Sequence, residues 1–153
     1  ATTPCRRRRS RMPSAANASR RSVERLASLT FFLDHQIGRH VVADKLREAG
    51  ATVEAHLDHF KGDAPDLEWI PEIGRRDWVL ITKDQNIRRN PLERAAYASA
   101  KLRGFVATGK DMSGPDLGEL LVRCLTGMVR RAHNRPGPLL FAISRNGVFS
   151  RLI

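Results

Sequence analysis

The chain of 153 residues is 41% hydrophobic, which suffices for one globular domain with a buried core. No apolar run approaches the roughly 18 residues that span a membrane, so the composition excludes a helical membrane protein. The two cysteines, Cys5 and Cys124, lie in a basic segment and in a helical apolar pattern, respectively. These different surroundings predict unpaired thiols and a cytoplasmic protein.

The formal net charge of +11 is unevenly distributed along the chain. The first 30 residues contain eight of the 27 basic residues but only one acid, Glu24, whereas the remainder is mildly basic. This imbalance predicts a basic, disordered N-terminal tail over residues 1–28 and a single folded domain over residues 29–153. Such a tail either binds RNA non-specifically through its phosphates or is simply solvated. Met12 is an alternative translation start, which would leave residues 1–11 untranslated.

Residues 1–22 show no periodic pattern, and a short helix is expected around residues 23–28. Apolar runs and amphipathic segments then alternate along the chain. The predicted strands are 29–33, 51–57, 78–82, 104–108 and 139–143, and the predicted helices are 38–49, 65–75, 90–102 and 116–130. Asn146-Gly147 is a hairpin signal, so residues 148–153 are expected to form a return strand. This alternation predicts an α/β fold, a three-layer α/β/α sandwich with a central, mainly parallel sheet.

Three acidic residues stand where the predicted elements begin or end. Asp34 follows the first strand, Asp84 follows the third strand, and Asp66 opens the helix between them. The carboxyl ends of parallel strands share one edge of the sheet, so these carboxylates are expected to converge there. A cluster of oxygen ligands suits Mg²⁺ or Mn²⁺. Taken singly, Asp34 and Asp66 are also good helix N-caps, and Asp84 is a good Asx-turn residue.

The combination of a basic chain with an acidic metal site indicates an enzyme that cleaves phosphodiester bonds. The sequence contains neither a Gly-x-Ser-x-Gly nucleophile motif nor a phosphate-binding Walker loop. Its histidines lack nearby cysteines at zinc-binding spacing, and His56 and His59 are expected to have no metal role. Trp69 and Trp78 are expected to be core residues.

Four segments together resemble the PIN-like nuclease family. They are the strand end Phe31-Phe32-Leu33-Asp34, the helix end Leu46-Arg47-Glu48-Ala49-Gly50, the helix start Asp66-Leu67-Glu68-Trp69-Ile70, and Trp78-Val79-Leu80-Ile81-Thr82-Lys83-Asp84. The similarity extends over about residues 29–110 and is strongest with the short PIN-like subgroup that includes VapC-type toxins. Thr82-Lys83-Asp84 followed by Ile87 is its most specific part.

The resemblance implies a PIN-like fold and a ribonuclease that cleaves single-stranded RNA with Mg²⁺ or Mn²⁺. It implies that Asp34, Asp66 and Asp84 are both the metal ligands and the catalytic residues. It further implies the toxin of a type II toxin–antitoxin system, with an antitoxin protein as partner. The alternative is a non-catalytic PIN-like module that binds nucleic acid or regulates another protein. A receiver-like domain is a third interpretation, but its usual paired acids are absent beside Asp34.

Two features of the site stay open at this stage. Many PIN domains carry a fourth acid, for which the candidates here are Asp111, Asp63 and Glu68. Lys83, Arg88 and Arg89 are expected to bind the substrate, although Lys83 is equally well placed for a surface ion pair. The apolar face of helix 116–130 is compatible with a homodimer or with packing on the sheet.

Overall fold

The computed structural model describes residues 15–153, with side chains from residue 20 onward, and contains six strands and seven helices in this range. The strands are β1 (Thr30–Leu33), β2 (Thr52–Ala55), β3 (Val79–Thr82), β4 (Arg103–Ala107), β5 (Leu139–Ile143) and β6 (Phe149–Arg151). The helices are α1 (Ala15–Ala27), α2 (Val41–Glu48), α3 (Asp66–Arg75), α4 (Asn86–Arg89), α5 (Pro91–Ser99), α6 (Gly114–Arg123) and α7 (Leu125–Ala132). Short 3₁₀ turns follow β1 and β2 at His35–Ile37 and His56–Asp58.

The strands form one sheet in the order β2-β1-β3-β4-β5-β6. The first five strands are parallel, and β6 returns antiparallel to β5 after the turn at Gly147. The predicted α/β sandwich with a mainly parallel sheet is therefore confirmed. Since β1 and β3 are neighbours, the chain places the ends of these two strands side by side.

The sheet is buried on both faces, as its uninterrupted apolar strands predict. Along β1, Phe31 and Leu33 pack with α2, α6 and α7, whereas Phe32 packs on the opposite face with α3 and α5. This alternation follows from the two-residue period of a strand. All three side chains are fully buried, and each contributes about 1.5–3 kcal/mol to stability through the removal of apolar surface from water.

The N-terminal helix is longer than the sequence pattern predicts. Residues 15–22 were expected to lack regular structure, but α1 begins at Ala15. Its sequence is rich in alanine and arginine, which favour a helix. Predictions about Cys5, Met12 and the basic tail before Ala15 lie outside the described residues, and the domain boundary at residue 29 stays a prediction.

The predicted helix over residues 116–130 is two helices, α6 and α7, which meet at Cys124. Thr126 and Gly127, just beyond the junction, are weak helix formers. A Cβ at Gly127 would lie only 2.8 Å from the ring of Phe149, so the tight approach of β6 requires glycine there. The apolar faces of both helices pack on the sheet, and the alternative of a homodimer stays untested.

The structure also bears on the predictions for Pro71, the two tryptophans, Cys124 and membrane-spanning helices. Pro71 lies inside α3 without ending it. Trp69, a residue of α3, is buried, and Trp78 is partly buried. Both pack in the core between α3 and the sheet, as expected for core residues. Cys124 is a buried free thiol, and burial raises its pKa. Within residues 15–153, no helix is both long and apolar enough to cross a membrane.

Candidate metal centre

Asp34 lies at the carboxyl edge of the sheet, directly after β1. Its backbone N–H donates to the carbonyl of Ile81 in β3 at 3.0 Å, which extends the β1–β3 ladder by one residue. The side chain is 4% exposed, so this carboxylate is held inside the protein rather than in solvent. Its Oδ1 accepts from the backbone N–H of His35 at 2.6 Å and caps the 3₁₀ turn, as the N-cap interpretation predicts.

Thr82 connects Asp34 to Asp84. The Thr82 hydroxyl donates to Asp34 Oδ2 at 2.8 Å, and its oxygen, Thr82 Oγ1, accepts from the backbone N–H of Asp84 at 3.0 Å. Asp84 Oδ1 in turn accepts from the backbone N–H of Asn86 at 2.8 Å, which is the Asx-turn that the sequence also allowed. These bonds hold Asp34 and the loop of Asp84 in fixed positions.

Asp66, Asp84 and Glu93 form a compact carboxylate cluster. One side-chain oxygen from each residue lies within 4.8 Å of the other two, and all three residues are partly buried. Asp66 is the first residue of α3, and its Oδ1 accepts from the buried indole N–H of Trp69 at 3.1 Å. The structure thus joins two predicted acids, Asp66 and Asp84, with Glu93, which the sequence did not single out.

Tyr97 anchors the helix that carries Glu93. Tyr97 is fully buried in α5, and its hydroxyl donates to the carbonyl of Leu139 in β5. Burial also raises the pKa of this hydroxyl, which therefore stays protonated and keeps its donor role. A Cβ at Gly104 would lie 2.8 Å from the Tyr97 oxygen, so only glycine leaves room for this contact. The anchor sets the depth at which α5 presents Glu93.

The surroundings of Asp66 and Glu93 destabilise the charged forms of these two carboxyl groups. Burial raises the pKa of Asp66, and the charges of Asp34 and Asp84 raise it further, while the Trp69 hydrogen bond lowers it. Burial likewise raises the pKa of Glu93, as do the charges of Asp66 and Asp84. One carboxylate oxygen of Glu93 is buried and has no hydrogen-bond partner among the described residues. A cluster with this excess of negative charge favours a cation.

The donor set fits a hard divalent cation. Asp66, Asp84 and Glu93 offer only oxygen atoms, which Mg²⁺ and Mn²⁺ prefer over nitrogen or sulfur ligands. The unpartnered oxygen of Glu93 supplies an acceptor that the protein itself does not use. Asp34 does not belong to this trio, and its two oxygens accept hydrogen bonds from His35 and Thr82. Its charge nevertheless acts on Asp66, which places it as a neighbour of the cluster.

The candidates for a fourth acid lie elsewhere. Asp111, Asp63 and Glu68 are exposed, and none of them belongs to the carboxylate cluster found in residues 15–153. Glu93 joins the cluster instead. Its helix α5 lies between the parallel strands β3 and β4, so its first turn starts at the carboxyl edge of the sheet. An acid in the first turn of the helix that precedes β4 is the sequence signal for it.

His56 forms an uncharged wall beside the cluster. The residue is 1% exposed, and neither ring nitrogen has a hydrogen-bond partner among the described residues. Its ring packs against Phe32, Phe60 and Trp69. Burial lowers the pKa of His56 against the opposing charge of Asp34, which keeps the imidazole neutral. His56 therefore screens the acids from solvent without neutralising them.

The basic residues predicted to bind substrate flank Asp84. Lys83 is partly buried next to it, and Arg88 and Arg89 form the end of α4. Lys83, Arg88 and Arg89 are absent from the ion pairs formed within residues 15–153. The alternative of a surface ion pair for Lys83 is therefore not what the structure shows.

Comparison with known proteins agrees with this geometry. A family model described as PIN like domain matches residues 29–109, more than half of the chain. The chain is also 27% identical over 116 residues to the Putative ribonuclease VapC45 of Mycobacterium tuberculosis, a match that covers 73% of this chain and 83% of that protein. No solved structure matches the chain at a significant level. The family match contains Asp34, all three clustered acids, and both strands whose ends meet there.

Proposed function

Because the chain belongs to the PIN-like domain family, we propose that it is a metal-dependent endoribonuclease that cleaves single-stranded RNA. The convergence of Asp66, Asp84 and Glu93 beside the buried Asp34 is the observation that carries this proposal. The name of the Mycobacterium tuberculosis relative, a ribonuclease of the VapC type, supports RNA as the substrate. The VapC name also supports the role of a toxin in a type II toxin–antitoxin system. We further propose an antitoxin as partner and the cytoplasm as location.

The proposed metal ligands are Asp66, Asp84 and Glu93, and the proposed ion is Mg²⁺ or Mn²⁺. When bound, such an ion activates a water molecule and neutralises charge on the scissile phosphate. Asp34 belongs to the proposed catalytic residues with Asp66 and Asp84. Through Thr82 it holds the loop of Asp84 in place, and its own charge strengthens the field that attracts the cation.

We assign the recognition of RNA phosphates to Lys83, Arg88 and Arg89. Their positions on both sides of Asp84 bring positive charge to the edge of an otherwise acidic site. Phosphate contacts of this kind orient a strand without reading its sequence. The exposed position of Arg89 at the end of α4 suits a contact with a flanking phosphate rather than with the scissile one.

The test is cleavage of a mixed single-stranded RNA pool by the purified protein, with Mn²⁺ and with EDTA, beside the variant Asp84→Asn. Asparagine keeps the side-chain oxygen that caps the Asn86 N–H but removes the charge, so the fold is retained while metal binding is lost. The matched control is Asp111→Asn, an exposed acid outside the cluster.

Metal-dependent cleavage that is lost in Asp84→Asn and kept in Asp111→Asn is the expected result. Equal cleavage by both variants would overturn the assignment of the site. A folded wild type that binds Mn²⁺ and cuts no RNA would favour the alternative, a PIN-like module that binds nucleic acid or regulates a partner without catalysis.

A further inference from the structure

A groove of about 360 Å³ runs between α1 and α7, on the face of the sheet opposite to α3 and α5. Its floor is apolar and is formed by Leu26, Val122, Leu125 and Val129. Val23 stands at its side with 63% of its surface exposed, one of the most exposed large apolar side chains among the described residues. The floor and Val23 together form an apolar strip that a second helix could cover.

The charged residues that line the groove are all positive. Arg25 extends from α1 and Arg130 from α7, so one arginine lies on each helix. Neither participates in an ion pair within the described part of the chain, and both are exposed. None of the described residues that line the groove is acidic. An occupant must therefore bring both apolar surface and negative charge.

This charge disfavours two occupants that the chain itself could supply. The first 14 residues contain five arginines and no acid, so they would meet Arg25 and Arg130 with charge of the same sign. A second copy of the protein would bring a net charge of +11. Like charges brought together at an interface oppose association, whereas an acidic partner gains from complementarity.

We propose that the groove between α1 and α7 is the docking site for an acidic amphipathic helix of a partner protein. Such a helix places its apolar residues at helical spacing on the floor and its acids against Arg25 and Arg130. The inference rests on the proposed function in one respect, that the partner is the antitoxin. It deepens that function by assigning the partner to a surface built from α1 and α7, which lie outside the residues matched by the family model.

The probe is a fluorescein-labelled peptide of about 14 residues with leucine at helical spacing and glutamate elsewhere, next to a twin with lysine in place of glutamate. Binding to the full-length protein is followed by fluorescence anisotropy. Arg25→Glu and Arg20→Glu form a matched pair, because both change the same charge on α1 but only Arg25 lines the groove. Val23→Asp tests the apolar strip; the position is exposed, so the variant should fold, and circular dichroism checks this.

We expect the glutamate peptide to bind wild type and Arg20→Glu alike, and Arg25→Glu about fivefold more weakly. Val23→Asp should weaken it as well, and the lysine peptide should prefer Arg25→Glu. Equal binding to Arg25→Glu and Arg20→Glu would overturn the proposal. So would a wild-type dimer in sedimentation that Val23→Asp dissociates, because the occupant would then be a second copy.

RNA cleavage by the same variants separates this proposal from the proposed function. Arg25 and Val23 lie far in the fold from the carboxyl edge of the sheet, so both variants should retain the wild-type cleavage rate. Peptide binding without any RNA cleavage would retain the docking site and reject the ribonuclease. RNA cleavage without peptide binding would retain the ribonuclease and reject the docking site.

Discussion

Thr82 and Asp34 are joined by a buried hydrogen bond of 2.8 Å across 48 residues of sequence. Thr82 ends β3, and Asp34 follows β1, so this bond locks two neighbouring strands at the edge where the acids converge. Because the Thr82 oxygen also accepts from the Asp84 N–H, one hydroxyl determines the positions of two carboxylates.

Thr82→Val should uncouple the two carboxylates. Valine has nearly the same shape but leaves Asp34 Oδ2 and the Asp84 N–H without their partner, which should lower the free energy of unfolding by about 1–3 kcal/mol. Apparent affinity for Mn²⁺ should fall as well, because the Asp84 loop loses its support. Urea denaturation and Mn²⁺ titration measure the two effects. Thr82→Ser keeps the hydroxyl and should retain Mn²⁺ affinity; an equal loss of affinity in serine and valine variants would contradict the prediction.

Glu93→Gln should stabilise the metal-free protein at neutral pH. The pKa of Glu93 is raised in the folded state by burial and by Asp66 and Asp84, so its charged form opposes folding above that raised pKa. Removal of the charge should raise Tm by about 2 °C near pH 7, as measured by calorimetry in EDTA. The advantage should shrink as pH falls through the raised pKa, because protonation then relieves the wild type of the same penalty.

Mn²⁺ should reverse the order of the two proteins. The wild type gains stability from the bound ion, whereas Glu93→Gln has lost a ligand and should gain much less. The control is Glu68→Gln, an exposed acid of α3 outside the cluster, which should behave as wild type in both conditions. A lower Tm of Glu93→Gln in EDTA would show that Glu93 is structural rather than a ligand.

Trp69→Phe should make metal binding more sensitive to acid. The indole N–H lowers the pKa of Asp66, and its loss lets burial and the charge of Asp34 raise that pKa further. Protons then compete more strongly with the ion, so affinity for Mn²⁺ should fall roughly three- to tenfold near pH 6 and recover towards pH 8. Titrations by calorimetry at these pH values measure the shift.

The control for this substitution is Trp78→Phe. It removes the same atoms from a second, partly buried indole that stacks with Phe32 and lies under Arg76 rather than on an acid. Its affinity for Mn²⁺ should depend on pH as in the wild type. The same loss of affinity at every pH in Trp69→Phe would instead indicate general damage to the core.

Arg89→Ala should weaken RNA binding without slowing the chemical step. Arg89 is exposed at the end of α4 and has no ion pair within residues 15–153, so its loss removes a phosphate contact only. KM should rise roughly three- to tenfold, kcat should stay unchanged, and the salt slope of log K should decrease by about 1. Arg151→Ala, on β6 at the far edge of the sheet, should change none of these quantities. An altered kcat in Arg89→Ala would assign the arginine to the reaction itself.

The sequence predicted which edge of the sheet carries the site, but it did not predict every acid in the cluster. Asp34 and Asp84 follow uninterrupted apolar runs, and such runs are central strands whose ends must meet. Glu93 was missed because an acid in the first turn of a helix is common for reasons of the helix dipole alone. Glu93 is brought close to Asp66 by the crossover from β3 to β4. The order of elements predicts such a crossover but not the distance between these two side chains.

The division at Cys124 shows a second limit of sequence patterns. The apolar period continues across Cys124, and so do two backbone hydrogen bonds of helical type, from Cys124 N to Leu120 O and from Met128 N to Cys124 O. Just beyond the junction, Gly127 lies so close to Phe149, which comes more than 20 residues later in the chain, that a Cβ at Gly127 would lie 2.8 Å from the Phe149 ring. The apolar period correctly predicts which residues of α6 and α7 are buried. It cannot predict a close contact with a side chain that is distant in sequence.

All the carboxylates of the centre come from one continuous part of the chain, between Asp34 and Glu93. The helices α1, α6 and α7 cover the other face of the sheet and supply none of them. The chemistry and the recognition surface are therefore encoded in separate stretches of the gene. Point mutations in the outer helices could therefore change the antitoxin that is bound. The proposed catalytic residues would stay unchanged.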